Sequence, residues 1–314
     1  MMNEFDTRTQ NASFAQAAPR LSVLTPFFRD DPRPLLAALD REAARLDGAV
    51  EVIILDDGSG EPGLAAAVAE TAQGMALPTQ FICLLNNFGR ARGRNRMAAE
   101  ARGEWLLFLD SDMLPDNPDF LRVYLDLIAA EAPAVAFGGL SMLQATRARD
   151  RALHRRMSLQ TDCTPAPARA LNPEKHVFTS NLLIRSSVFA SCAFDESFSG
   201  WGWEDVEWGM RASRGNTIRH IANTATHLGL DPAPVMAAKY EQSAANFARV
   251  VAEHREIVER YPSYRVARVL RRLPLRPAWR PLLKALALAE AAPLAARAFA
   301  MRLYRAALYA EAVS

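Results

Sequence analysis

The sequence predicts an α/β fold built on a mainly parallel sheet, followed by a helical C-terminal extension. Three observations carry that prediction. Short apolar runs alternate with segments of helical period through residues 20–115, several of those runs stop abruptly at acids or amides, and the pattern turns wholly helical from residue 233. Strands covered on both faces read as continuous apolar runs, and their alternation with helices implies parallel pairing.

Taken in order, residues 1–19 read as a flexible leader, polar and without the apolar stretch of a signal peptide. "LSVLTPFF" (21–28) is a buried strand, and "PLLAALDREAARL" (34–46) carries apolar residues at helical spacing. "VEVIILDDGSG" (50–60) reads as a central strand ending in two acids and a turn. "GLAAAVAETAQ" is a helix, "TQFICLL" a strand, "RARGRNRMAAEAR" a basic helix and "EWLLFLDSDM" a further strand ending in acids. Beyond residue 135 come mixed segments, a polar stretch through 176, "VFTSNLLIRSSVF", and a tryptophan-rich segment. The tail from 233 reads as helical, broken at Pro262, Pro274, Pro277, Pro281 and Pro293.

A chain of 314 residues, half of them hydrophobic and 23% charged, holds one large α/β domain plus an appendage. Its net charge of +2 argues against a protein that wraps a polyanion as a whole. The charge is uneven, because Arg265 to Arg305 hold ten Lys/Arg against one acid, Glu290. No interleaving of aromatic and basic residues accompanies them, so no known binding motif supports a nucleic-acid module, and DNA binding at physiological salt would reopen that reading. Cys83, Cys163 and Cys192 are odd in number and lack paired spacing, which fits reduced thiols in the cytosol. The most apolar tail segment, "ALALAEAAPLAARAFA", is interrupted by Glu290, Pro293 and Arg297, so no transmembrane helix is expected.

In parallel sheets ligands bind beyond the carboxyl ends of the strands. The residues that end these runs therefore converge: Thr25, Asp56 and Asp57, Asn86 and Asn87, Asp110 and Asp112. Two carboxylates in "DSD" (110–112), at such an end, suit a hard divalent cation facing a diphosphate. As turn-forming acids they would be unremarkable, and the triplet means little outside this context. In "NNFGRARGRNR", Arg90, Arg92, Arg94 and Arg96 open a helix beside the crevice, where cations and the helix N-terminus both favour phosphate. A solvated basic face accounts for two of the four. "FSGWGWEDVEWGMR" (198–211) crowds Trp201, Trp203 and Trp208 around Glu204, Asp205 and Glu207. Flat rings beside carboxylates form a wall for a sugar, with a general base at hand; Trp208 reads as core.

Together, "SVLTPFF", "VIILDDGSG", "NNFGRARGRN", "WLLFLDSDM", "TSNLLIRSSVF" and "FDESFSGWGWEDVEWGMR" resemble family 2-like glycosyltransferases of the GT-A fold, over about residues 20–230. The last segment is similar to the "GWGxEDxE" signature of the galactosyltransferase and chondroitin-polymerase type. The resemblance implies donor contacts from Thr25, Pro26, Asp57, Arg94, Asp110 and Ser111, with uridine diphosphate the expected nucleotide. It implies Mn²⁺ or Mg²⁺ held by Asp112, Asp110 and His227. Asp205 matches the base of inverting members, with Glu204 beside it, and Trp201, Gly202 and Asn181 fall on the acceptor side. "TPFFRD" departs from many members, which carry Asn or Asp soon after the proline.

The expected activity is inverting, metal-dependent transfer of a sugar from a nucleotide donor to a saccharide or lipid-linked saccharide in surface glycan synthesis. The competing expectation is a catalytically silent nucleotide-sugar binder or assembly subunit; the intact Asp110, Asp112, Asp205 and His227 argue against silence. For the tail, Arg297, Arg302 and Arg305 fall within a roughly 140° arc of one helix. That arc reads either as part of a helical cap or as peripheral contact with an anionic membrane at the cytoplasmic face.

Overall fold

The computed structural model describes residues 6–274 and 276–313, the side chains of 276–278 excepted. Its strands are β1 (Thr7–Gln10), β2 (Leu21–Phe27), β3 (Val50–Asp56), β4 (Thr79–Cys83), β5 (Trp105–Phe108), β6 (Met113–Pro115), β7 (Val135–Phe137), β8 (Leu140–Ser141), β9 (Leu182–Arg185), β10 (Ile218–His220) and β11 (Ala225–His227). The helices of the first half are α1 (Arg33–Asp40), α2 (Pro62–Gly74), α3 (Arg90–Glu100), α4 (Phe120–Glu131), α5 (Ala152–Thr161), α6 (Ala166–Arg169) and α7 (Ser186–Ser191). Then follow α8 (Glu204–Ser213), α9 (Ala233–Glu253), α10 (Arg255–Val258), α11 (Pro262–Arg271), α12 (Arg276–Leu288) and α13 (Leu294–Tyr309).

The main sheet runs β1-β4-β3-β2-β5-β9-β7-β10. Strands β4, β3, β2 and β5 are parallel neighbours, while β9 runs antiparallel between β5 and β7. All seven residues of β3 are buried, as expected of a central strand with helices on both faces. This shared direction brings Asp56 and Asp57, Asn86 and Asn87, and Asp110 to one edge. A smaller sheet, β6-β11-β8, sits beyond it. Its register pairs His227 with Met113, which sets the imidazole beside Asp112.

The C-terminal helices share cores with the domain they follow. Met236 and Tyr240 of α9 pack with Leu153 and Met157 of α5 and with Met301 and Tyr304 of α13. Met210 of α8 packs with Phe247, Val250, Tyr264 and Tyr309. Helix α8 therefore rests on the extension as well as on the sheet.

Three expectations change. The leader expected over 1–19 contains β1, whose residues pair antiparallel with β4 from Thr7↔Cys83 to Gln10↔Gln80; residues 1–5 lie outside the described residues. Pro281 lies inside α12 instead of ending a helix. The arginine arc of α13 faces inward. Arg297 is buried and its Nε donates to the Ala287 carbonyl at 3.1 Å, Arg305 lies 5.1 Å over the Tyr240 ring, and Arg302 bonds Gln160. Those three cations are engaged within the fold, an arrangement that suits the helical cap.

Candidate active site

Arg94 is the hinge of the site. It sits one turn into α3, is only 3% exposed, and its Nη2 donates to Asp110 Oδ1 at 2.6 Å. Its Nη1 lies 3.9 Å from Glu204 Oε1. Burial disfavours its charge, but Asp110 and Glu204 outweigh that and raise its pKa. Nε and Nη1 have no hydrogen-bond partner, an uncommon state for a buried guanidinium and one that a bound anion relieves. Arg90 reaches Glu204 Oε1 at 3.7 Å, whereas Arg92 pairs with Glu196 and Arg96 with Asp6. Two of the four arginines of α3 thus belong to the site and two do not.

Asp112 and His227 form the second feature. Asp112 Oδ2 and His227 Nε2 are 3.1 Å apart. For each, burial opposes the charged form, yet the partner wins, lowering the Asp112 pKa and raising that of His227. Gly229 makes this approach feasible, because a Cβ there would stand 2.0 Å from Asp112 Oδ2. The Asp112 carboxylate and His227 imidazole are donor types that suit Mn²⁺ or Mg²⁺, and Asp110, on the same strand end, is held by Arg94. Among the described residues the one group of three acids or imidazoles whose ligand atoms all lie within 4.8 Å of one another is Glu207, Glu253 and His254, so Asp110, Asp112 and His227 are not drawn that close together. There Glu207 is bound by Arg211, and the ring of His254 by Arg214 and Glu207, so that cluster reads as a structural network.

The tryptophan segment enters α8 through Trp203, whose φ of +78° is left-handed. Such a conformation costs of order 1–3 kcal/mol in a bulky residue, so its surroundings must hold it. Its Nε1 donates to the Tyr309 hydroxyl at 3.0 Å, and its ring meets Phe247 at 4.9 Å. Asn246 Nδ2 donates to the Ser199 and Gly202 carbonyls at 3.0 and 2.8 Å. The Gly200–Gly202 stretch is therefore pinned by α9 and α13. From this segment Glu204 is buried and Asp205 half-buried. Burial, then the Glu204 charge, pushes the Asp205 carboxyl up to about 7. A cavity of about 280 Å³ between α3 and this segment is lined by Asn87, Gly89, Arg90, Glu204 and Asn246 among others.

The other expected contacts divide. Pro26 is partly exposed, but Thr25 is wholly buried, and Ser111 nearly so. Asp57 does not stand free for a nucleoside; its two oxygens accept the amides of Phe88 and Gly89 at 3.0 and 2.9 Å, fixing the entry to α3. Burial pushes its carboxyl up to about 6. Asn181 is a correction: it is fully buried, accepts from the Tyr124 hydroxyl at 2.6 Å, and donates to the Gly139 and Asn223 carbonyls. With every polar atom used, it cannot meet an acceptor. Asn246 and Tyr309 escaped the sequence reading, because a polar residue on an amphipathic helix carries no motif.

Trp201 is half-buried, its ring edge-on to Tyr240 at a centroid distance of 5.9 Å. Trp201→Ala is expected to destabilise the fold by less than the roughly 3–5 kcal/mol of an emptied core site. The main loss should appear in acceptor KM or turnover, with acceptor-free donor hydrolysis largely kept. Thermal melting and hydrolysis assays decide this, and a large fall in Tm with an equal loss of hydrolysis would refute it.

The model of glycosyl transferase family 2 matches residues 22–190, just over half of the chain. A Bacillus subtilis (strain 168) protein, the uncharacterized glycosyltransferase YfnE, is 34% identical over 95 residues. That match covers 30% of this chain and 24% of the relative, so the chain spans about a quarter of that protein's length. Among solved structures, the mannosyltransferase PcManGT from Pyrobaculum calidifontis, in complex with GDP-Man and Mn²⁺, superposes with a TM-score of 0.59 at 17% identity, covering 93% of this chain and 86% of its own. S. aureus TarS 1-349 in complex with UDP-GlcNAc gives a TM-score of 0.54 at 19% identity, with coverages of 91% and 89%. At these identities the likeness carries the fold, a GT-A arrangement with helices after it.

Proposed function

The chain belongs to glycosyl transferase family 2, and from that premise we propose that it transfers a sugar from a nucleotide donor, with inversion, to a saccharide or lipid-linked saccharide of a surface glycan. The observation that carries this reading is the placing of Arg94 between Asp110 and Glu204, which joins the acids suited to a cation with the acids suited to base catalysis.

In this mechanism the donor diphosphate lies along the strand ends toward the N-terminus of α3. Arg94, whose buried Nε and Nη1 lack hydrogen-bond partners, and the exposed Arg90 set positive charge against it. Asp110, Asp112 and His227 would hold a divalent cation, which when bound supplies Lewis-acid stabilisation of the leaving diphosphate. Asp205 takes the proton of an acceptor hydroxyl, whose oxygen attacks the anomeric carbon from the face opposite the diphosphate. The new bond is oxygen to anomeric carbon, and the bond broken joins that carbon to the phosphate oxygen, which leaves with the electron pair. Glu204, buried against Arg94, holds up the Asp205 pKa and so its basicity. Trp201 offers its ring to the apolar face of the acceptor.

The test is acceptor-free hydrolysis of UDP-, GDP- and TDP-sugars with Mn²⁺. Hydrolysis of one nucleotide class, lost on chelation, is expected. Metal-dependent binding of a sugar nucleotide with neither hydrolysis nor transfer to any saccharide acceptor would favour the silent binder instead.

A further inference from the structure

The extension carries a surface that the proposed chemistry does not use. The inner face of α11 is Tyr264, Ala267 and Leu270, all buried. Its outer face holds Val266, Val269 and, just past the helix end, Leu273, exposed by 41%, 60% and 46%. At 3.6 residues per turn Val266 and Val269 lie about 60° apart, and Arg265 and Arg268 occupy the adjoining strip. Arg272 joins that strip, making three exposed arginines beside the stripe, while Arg271, also exposed, lies about 160° away from it around the helix. Among the described residues none of these three makes a side-chain hydrogen bond or ion pair, unlike the arginines of α13. An apolar stripe beside a row of unpaired cations, on a helix already anchored by its other face, matches the profile of an interfacial helix. Arginine stems can lie along the apolar boundary while their heads reach lipid phosphates.

We propose that this face of α11 docks the protein on an anionic lipid bilayer surface. No described helix is long and apolar enough to cross a membrane, so the contact is peripheral. Charge complementarity selects the occupant: three cations without acids disfavour a second copy of the same face and favour a dense anionic surface. The apolar stripe sets a lipid interface apart from a nucleic acid, whose phosphates have no use for exposed valines. The inference deepens the lipid-linked-acceptor reading and rests on it only for purpose, since its test measures partitioning and not transfer. Helix α11 also packs on α13, which carries Tyr309 and so touches the acceptor-side segment.

The experiment is co-sedimentation of the full chain with vesicles of phosphatidylcholine alone or mixed with phosphatidylglycerol. Each arginine near an anionic surface is worth about a fivefold gain in partitioning. Wild type is expected to bind only the anionic vesicles, less so as salt rises. Arg265→Ser with Arg268→Ser and Arg272→Ser should lower partitioning about a hundredfold. Val266→Asp with Val269→Asp should lower it at least tenfold. Circular dichroism and donor hydrolysis in vesicle-free buffer should be unchanged in both, which separates failure of docking from failure of the catalytic reading. Absence of wild-type binding to anionic vesicles overturns the proposal. So does equal binding by the valine variant, which would reduce the face to charge alone. Protection of the face in a homodimer, or tight duplex DNA binding lost only with the arginines, would overturn it too.

Discussion

Asp205→Asn is expected to lower sugar transfer by about 10²–10⁴-fold, the usual contribution of a positioned base. Donor affinity should remain near native, because the proposed mechanism assigns Asp205 to the acceptor and Arg94 and Asp110 to the donor. The pH profile gives an independent readout. With its carboxyl pushed up to about 7 by burial and by Glu204, Asp205 is ionised only above that value. Acceptor-dependent kcat/KM should therefore fall about tenfold per unit as pH drops below 7, and the variant should lose that limb. The same shift runs the other way for stability. A folded carboxylic acid that keeps its proton between its ordinary 3.8 and about 7 makes the fold less stable as pH rises through that window. Near-native turnover in the variant would move the base, with Glu204 the first replacement.

Asp112→Asn is expected to reduce transfer by at least about 10²-fold, since even outer-shell partners of a metal site are worth 10–100-fold. The asparagine fits the space beside Gly229 and still meets His227, so the fold should survive. What it lacks is the charge that neutralises a cation. Calorimetric titration of UDP in the presence of Mn²⁺ should show markedly weaker binding, with metal-free binding little changed. Unchanged Mn²⁺-dependent binding would remove Asp112 from the metal site.

The parallel strands were legible because burial on both faces leaves a one-word signal: β2, β3, β4 and β5 appear as apolar runs within a residue or two of their bounds. The edge strand β1 was hidden, since "TRTQ" is three-quarters exposed and gains its pairing from β4 alone. The small sheet was hidden for another reason, as its strands of two or three residues are shorter than any periodicity. Asp57, Asp110 and Asp112 were readable from their place at strand ends, and Glu204 and Asp205 from the tryptophan segment. Asn181 was misread because a polar residue before a strand looks the same whether its partners are a ligand or Tyr124. Asn246 lay beyond reach, as its meaning depends on carbonyls more than forty residues away in the chain.

The bond between Trp203 and Tyr309 spans 106 residues of chain, and a chain is made from one end. At about 5–20 residues per second, roughly 5–20 s pass between synthesis of the indole and of the hydroxyl that receives it. In that interval strands β1 to β5 and the first turns of α3 have already been made, so the crevice floor can form early. The turn into α8 cannot, because its left-handed tryptophan lacks the aromatic cradle of Phe247 and Tyr309. Under the proposed function, a growing chain thus acquires its place for a nucleotide well before it acquires a settled base. A ribosome stalled short of residue 309 should hold a protein that grips sugar nucleotide without consuming it.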